Sequence, residues 1–196
     1  FRVGGPATSG NAWILEFRRF CEDNQVPLDF ITTHHYPTDD PLANLGVNGP
    51  GYKGDSPTDP DSIEKRRKMS PEELKQMIDS IMNRVNRNPR DVLARTARKA
   101  SKEAEPYPLY YTEWNGSMEF DTSYQAAFVI PTIAGNEGLV KGYSFWTVSD
   151  IFEEQGLHCP PFNNEFGMLT KHGIEKPVYQ VFKALHQAGN LRLDVT

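Results

Sequence analysis

A glutamate at the end of a predicted strand is the residue whose type and position most clearly point to chemistry. The strand is the short apolar run Leu109-Tyr110-Tyr111, and Thr112-Glu113-Trp114-Asn115 follows it. Strands disfavour Glu and Asn, so strand propensity does not explain these residues. In barrels of alternating strands and helices, the carboxyl ends of the strands build the active site. Hydrolysis of sugars by a pair of carboxyl groups requires a glutamate or aspartate at such a position, so Glu113 is our candidate catalytic group. The alternative is a surface glutamate that happens to end a strand.

Polar and aromatic side chains also collect at the ends of the neighbouring predicted strands. The candidate binding residues are His34, Tyr36, Trp114, Trp146, Glu153 and Glu154. Aromatic rings can stack on the apolar faces of sugar rings, while imidazole and carboxylate groups supply directional hydrogen bonds to hydroxyls. This combination favours a neutral polyol as the ligand. Taken singly, Trp146 could equally be a core aromatic, and the glutamate pair could be a solvated acidic surface.

A metal site is the less favoured interpretation of the two adjacent histidines. His34 and His35, with Asp39 and Asp40, are residue types that bind divalent ions. Adjacent residues on a strand point to opposite faces, so both imidazoles cannot easily reach one ion. We therefore predict no metal site, and we expect His34 to contact a substrate. His35 should pack outside the barrel or line the following loop.

Neither the glycines nor the cysteines of the chain form a motif that predicts a cofactor. Gly4-Gly5 lacks the GxGxxG spacing, and Val47 to Gly54 lacks the GKS/T ending of a phosphate-binding loop. No GxSxG elbow is present to supply a serine nucleophile. Cys21 and Cys159 are far apart and have no CxxC spacing, so neither a zinc site nor a disulfide framework is indicated. No cofactor is expected.

Four βα units are predicted to position these residues. The predicted strands, short and apolar or aromatic, are Arg2 to Ala7, Asp29 to Tyr36, Leu109 to Asn115 and Tyr143 to Ser149. Helical patterns separate them: Asn11 to Asn24, a helix beginning with a Ser70–Glu73 capping box, Arg90 to Glu103, one from Asp121, and one from Pro177. The Gly- and Pro-rich segment from Asp39 to Ser62 is predicted to be a substrate-facing loop, with passive disorder as the alternative.

Composition favours a small neutral partner. The chain has 196 residues, 38% of them apolar, and a formal net charge of -5. No apolar stretch approaches the roughly 20 residues needed to cross a bilayer, so no membrane association is expected. Proteins that bind nucleic acid usually carry a dominant basic surface, so the acidic balance argues against that partner. The basic stretch from Arg84 to Lys102 is predicted to be a solvated helix face rather than a polyanion-binding patch.

Four βα units amount to half of an eight-stranded α/β barrel. An isolated half would expose two sheet edges and one interior face, an aggregation hazard that closure of the barrel removes. We expect residues 1–190 to form such a half and residues 191–196 to begin a following strand or linker. A missing other half or a homo-oligomer would cover the open edges.

Five motifs, in order along the chain, resemble those of family 39 glycoside hydrolases and in particular the bacterial β-xylosidases. They are Val3-Gly4-Gly5-Pro6-Ala7, Asp29-Phe30-Ile31 with His34-His35-Tyr36, Thr112-Glu113-Trp114-Asn115, Ser144-Phe145-Trp146 and Ser149-Asp150-Ile151-Phe152-Glu153-Glu154. The resemblance continues through Phe166 to Leu169 and Lys176-Pro177. It implies a (β/α)8 TIM-barrel type of fold, of which this chain supplies about the last four βα units. It also implies a retaining mechanism with Glu113 as the nucleophile.

The resemblance further implies a sugar subsite lined by the candidate binding residues. Glu153 and Glu154 would hold hydroxyls, and Trp146 would form a wall. His34 and Tyr36 would steady the nucleophile or the sugar ring.

One family motif does not occur in this sequence. The general acid/base of the family is a glutamate in an Asn-Glu-Pro motif that follows the fourth strand of the barrel. Asn164-Glu165-Phe166 is not a substitute for this motif, because it lies beyond the last predicted strand and lacks the proline. We therefore expect a retaining hydrolase of β-xylosides or related short oligosaccharides whose acid/base glutamate is missing from these residues, so that the chain alone is inactive. The alternative is a carbohydrate-binding fragment without catalysis.

Overall fold

Strands and helices alternate along the part of the chain that the structure describes. This computed structural model describes residues 1–37, 68–73, 75–76, 91–116, 119–151, 160–191 and 193. Its strands are β1 (Gly4–Thr8), β2 (Phe30–His35), β3 (Leu109–Trp114) and β4 (Gly142–Phe145). Its longer helices are α1 (Ile14–Asp23), α2 (Val92–Ala104), α3 (Ser123–Gly135) and α4 (Pro177–Gln187). The predicted α/β organisation is confirmed.

The four strands form one parallel sheet in chain order, β1-β2-β3-β4. Gly4 lies opposite Phe30, Ile31 opposite Leu109, and Tyr110 opposite Gly142. Because parallel strands end at the same edge of a sheet, the residues that end β2, β3 and β4 are brought together. This edge is where the candidate site residues lie.

The core lies between the sheet and the helices. One apolar cluster consists of Ile14, Ile31, Ala97, Ala100, Ala104, Leu109 and Tyr111, and a second of Val92, Leu93, Trp114, Phe128, Val129 and Val178. The alanines of α2 recur at helical spacing and let this helix lie close to the sheet. Arg98, Lys99 and Lys102 lie on its exposed side, as a solvated helix face requires.

Two predicted helix starts differ from the structure. Residues 9–11 form a 3-10 turn, and α1 begins only at Ile14, because Asn11 (φ 55°) and Trp13 (φ 61°) are in the left-handed region. A helix cannot continue through such residues. The α3 helix begins at Ser123, and the carboxylate of Asp121, the predicted cap, instead lies 2.6 Å from Nζ of Lys176.

The predicted capping box is present. The Ser70 backbone N–H and hydroxyl each donate to the Glu73 carboxylate at 2.8 Å, and the Glu73 N–H donates back to the Ser70 hydroxyl at 3.3 Å. The backbone hydrogen bond, followed by the hydroxyl one, lowers the pKa of Glu73. The helix start is therefore locally encoded by these two residues.

Several predictions fall outside the described residues. They are the loop from Asp39 to Ser62, most of the helix after Glu73, Glu153, Glu154, Cys159 and most of residues 191–196. Among the helices that are described, none combines the length and apolarity required to cross a bilayer.

Candidate active site

Glu113 departs from the alternating side-chain pattern of β3 at the carboxyl end of the sheet. Tyr111 and Trp114 are both buried on the helix-facing side, although they are three residues apart. The strand register shifts here, between Thr33 and His34 against β2 and between Tyr111 and Trp114 against β4. Such an irregularity re-aims side chains at a strand end. It puts Glu113 on the face away from the helices, with its side chain 20% exposed.

The Glu113 carboxylate is held through one oxygen by two neighbouring side chains. The Tyr36 hydroxyl donates a hydrogen bond to Oε2 at 2.8 Å. Nδ1 of His34, which lies opposite Glu113 in the strand register, is 3.0 Å from the same oxygen. The structure therefore brings together three of the side chains that sequence analysis selected. Donors at these distances restrict the orientation of a carboxylate.

His35 points to the other face, as alternation along β2 predicts. It is 1% exposed, and its ring stacks on Tyr111 with centroids 4.8 Å apart. Its Nε2 contacts the Thr96 hydroxyl, which also lies 3.0 Å from the Val92 carbonyl oxygen. Since the hydroxyl has one proton to donate to that carbonyl, we assign Nε2–H as the donor to Thr96. His34 and His35 thus cannot share an ion, and Asp39 and Asp40 lie outside the described residues.

Burial of His35 should make folding sensitive to acid. Desolvation lowers its pKa from 6.5 to about 3. Between these values the unfolded chain binds a proton that the folded protein excludes, so the free energy of unfolding falls as pH decreases below 6.5. At 1.36 kcal/mol per pH unit, we expect this residue to cost about 2 kcal/mol of stability at pH 5. Urea unfolding at pH 7.5 and pH 5 measures the difference.

His35→Gln should remove this part of the pH dependence, because glutamine does not titrate. His172→Gln, a change at an exposed histidine, is the matched control and should keep the acid sensitivity of the unmodified chain. An unchanged pH slope in His35→Gln would contradict the assignment.

The structure contradicts the sequence-based prediction that Trp114 contacts the sugar. Its side chain was expected to stack on a sugar ring, but it is 0% exposed and lies on the helix-facing side of the sheet. Its indole stacks on Tyr143 with centroids 4.3 Å apart and meets Phe145 edge-on at 5.2 Å. Burial this complete leaves no ring face for a ligand, so Trp114 is a core residue.

Trp146 follows β4 and is partly exposed at the same edge of the sheet. The backbone N–H of Trp146 donates to the backbone carbonyl oxygen of Trp114 at 2.8 Å. The backbone carbonyl oxygen of Trp146 accepts from the Asn115 side-chain amide at 2.5 Å. The Asn115 Oδ1 in turn accepts from the Gly116 N–H at 2.7 Å and contacts the Gln125 amide. Asn115 therefore links the Glu113 strand to the Trp146 segment.

This role of Asn115 was not predicted from the sequence, where the residue stood out only as a poor strand former. The available signal was that a polar amide directly follows a buried strand, where its hydrogen bonds must be satisfied within the protein.

Most of the chain matches one known protein family. Residues 1–46 and 63–195 match the family described as Glycosyl hydrolases family 39. The chain is a member of this family.

Two similar proteins are named as β-xylosidases. The chain is 38% identical over 200 residues to a β-xylosidase of Caldicellulosiruptor saccharolyticus, covering 99% of this chain and 34% of the relative. It is 26% identical over 196 residues to a β-xylosidase of Geobacillus stearothermophilus, covering 96% and 34%. The chain thus spans about a third of the length of these relatives.

Solved structures of family 39 enzymes are also similar. The GH39 enzyme from Xanthomonas axonopodis pv. citri has 31% identity and a TM-score of 0.65, with 95% of this chain and 32% of that chain covered. A monomeric β-xylosidase from Caulobacter crescentus CB15 has 30% identity and a TM-score of 0.65, with 95% and 33% covered. The predicted fold class, α/β of TIM-barrel type with four βα units in this chain, is confirmed.

Proposed function

We propose that the protein is a retaining glycoside hydrolase that cleaves β-xylosides or related short oligosaccharides, with Glu113 as its nucleophile. Membership of family 39 supports glycoside hydrolysis, and two relatives named as β-xylosidases support the substrate class. The observation that carries the proposal is the Glu113 carboxylate, held at a strand end by Tyr36 and His34 through Oε2.

The mechanism uses the Glu113 carboxylate twice. It first attacks the anomeric carbon while a carboxylic acid about 5 Å away protonates the departing oxygen. The aglycone leaves as an alcohol, and a covalent glycosyl-enzyme remains. The second group, now a carboxylate, then takes a proton from water, which attacks the anomeric carbon and releases Glu113. Two inversions give a product with the original configuration.

Neighbouring side chains supply orientation and recognition in this proposal. Hydrogen bonds from Tyr36 and His34 hold one carboxylate oxygen, so that the other can face the anomeric carbon. Trp146 forms a wall of the sugar site, and Glu153 and Glu154 accept hydrogen bonds from sugar hydroxyls.

The second carboxyl group is proposed to come from outside these 196 residues. The absence of an Asn-Glu-Pro sequence from the chain supports this, as does its coverage of only 34% of the relatives. The chain alone should then bind a sugar at most.

The test is hydrolysis of an aryl β-xyloside by the protein at its native length, followed by NMR of the anomeric proton. Retention predicts that β-xylose forms first and equilibrates with the α anomer only later. If α-xylose forms first, the retaining mechanism is wrong. Absence of turnover would refute the function, and turnover by the 196-residue chain alone would show that the acid/base lies within it.

Tyr36→Phe should slow the reaction without unfolding the protein. It deletes a hydrogen bond to a carboxylate, which contributes about 1.5–3 kcal/mol, so kcat/KM should fall by roughly 10- to 100-fold. Initial rates with the aryl β-xyloside measure the loss. Tyr179→Phe, the same change within α4, is the control and should keep full activity. Equal rates for the two variants would remove Tyr36 from the site.

A further inference from the structure

We propose that Lys176 is a positioning residue that holds the β4-end segment, residues 146–150, in place beside the nucleophile. Lys176 directly precedes α4, and its side chain is completely buried. The inference rests on the proposed function, since the β4-end segment carries Trp146, the proposed wall of the sugar site.

The Lys176 ammonium group has three partners, one in the connection between β3 and α3 and two in the connection between β4 and α4. It donates hydrogen bonds to Oδ1 of Asp150 at 2.9 Å and to the carbonyl oxygen of Glu165 at 2.8 Å. It also pairs with Oδ1 of Asp121 at 2.6 Å. Asp121 lies between β3 and α3, Asp150 ends the β4-end segment, and Glu165 lies before α4. An ammonium group has three N–H donors, which is the number of these partners.

The two carboxylates extend the connection to the backbone. Asp150 Oδ1 accepts from the Gly167 N–H at 2.8 Å, and Asp121 Oδ2 accepts from the Asn164 N–H at 2.5 Å. A Cβ atom at position 167 would lie 2.4 Å from the Asp150 nitrogen, so this approach requires glycine. Lys176 therefore anchors both the β4-end segment and the neighbouring segment from Asn164 to Gly167.

Backbone hydrogen bonds continue this anchoring along the β4-end segment. They join Thr147 to Phe166 and to Met168, Val148 to Leu169, and Asp150 to Leu169, at 2.9–3.2 Å. At its other end, the Asn115 side chain holds the Trp146 carbonyl oxygen at 2.5 Å. The segment is thus fixed to the nucleophile strand at its beginning and to Lys176 at its end.

Stability alone does not account for this buried cation. Desolvating an ammonium group and two carboxylates is costly, and apolar replacements of buried ionic groups are often neutral or stabilising. Charged hydrogen bonds are directional, however, so they hold loops in one relative position. Placement of the β4-end segment is the benefit that this geometry supplies.

Two variants test the proposal in the protein at its native length. Lys176→Met removes the cation at similar side-chain size. Because it leaves the partly buried carboxylates of Asp121 and Asp150 without a counter-charge, loss of folding is one outcome of this variant. Asp150→Asn removes the negative charge through which Lys176 holds the β4-end segment, while Lys176 keeps Asp121 as its counter-charge. Lys183→Met in α4, which breaks an exposed 3.8 Å pair between Lys183 and Glu175, is the matched control.

Hydrogen exchange and kinetics are then measured together. In Asp150→Asn, amide protection of residues 147–150 and 166–169 should fall at least about tenfold while that of β3 stays unchanged. KM for the aryl β-xyloside should rise about tenfold while kcat stays nearly constant, so kcat/KM should fall about tenfold. This is smaller than the roughly 100-fold loss of rate that a 1 Å misplacement of reacting groups can cause. Lys183→Met should change neither quantity.

Two results would overturn the proposal. A loss of protection that includes β3 would mean that the network only stabilises the fold. Local loss with unchanged KM would mean that the segment does not position the sugar. A native-length protein that does not hydrolyse the xyloside at all would instead refute the proposed function, and the exchange data would still decide whether Lys176 anchors the segment.

Discussion

Glu113→Gln should abolish hydrolysis of an aryl β-xyloside while the fold is kept. The amide has the shape of the carboxylate but cannot form the glycosyl-enzyme, so kcat/KM should fall on the order of 10⁴-fold or more. The assay uses the native-length protein with the released phenol as readout. Glu16→Ala, at an exposed position of α1, is the control and should retain full activity.

Chemical rescue separates a nucleophile from an acid/base. In Glu113→Ala, azide can occupy the space of the lost carboxylate and attack the anomeric carbon of an aryl β-xyloside with an activated leaving group. One inversion gives the α-glycosyl azide and free phenol. A β-glycosyl azide would show that residue 113 is the acid/base instead, and full activity without azide would remove it from the mechanism.

Trp114→Ala should destabilise the protein strongly. The indole is 0% exposed and packs on Tyr143 and Phe145, so truncation leaves a large cavity in the second apolar cluster. We expect a loss of about 3–5 kcal/mol in the free energy of unfolding, measured by urea denaturation.

The exposed Trp13 offers the same substitution without the cavity. Its side chain is 68% exposed, so Trp13→Ala should change stability little. If Trp114→Ala has the same free energy of unfolding as Trp13→Ala but binds xylosides weakly, the Trp114 indole contacts the sugar and its placement in the core is wrong.

The strands and their order could be predicted from sequence because each is a short apolar run between helical patterns. Parallel pairing then dictates that Glu113, His34 and Trp146 end at one edge of the sheet. The separation of His34 from His35 followed from the two-residue period of a strand alone. Local rules of this kind need no knowledge of distant contacts.

Those rules do not extend to irregular strand ends. Simple alternation from Tyr111 would turn Glu113 toward the helices and Trp114 away from them. The register shifts between β3 and its neighbours reverse both placements. The alternation of side chains within β3 cannot reveal a register shift, because that shift depends on how β3 pairs with β2 and β4.

The α/β class, the four βα units and the family could be predicted from the residues alone, because these depend on local periodicity and on motifs in a fixed order. The folded structure was needed to show that Glu113 contacts Tyr36, that Trp114 is a core residue, and that Lys176 joins Asp121 to Asp150. These partners are tens of residues apart, and no local preference encodes such a pairing. Long-range contacts form only when the packing of whole elements brings the side chains together, and the free energy of that packing depends on the entire fold.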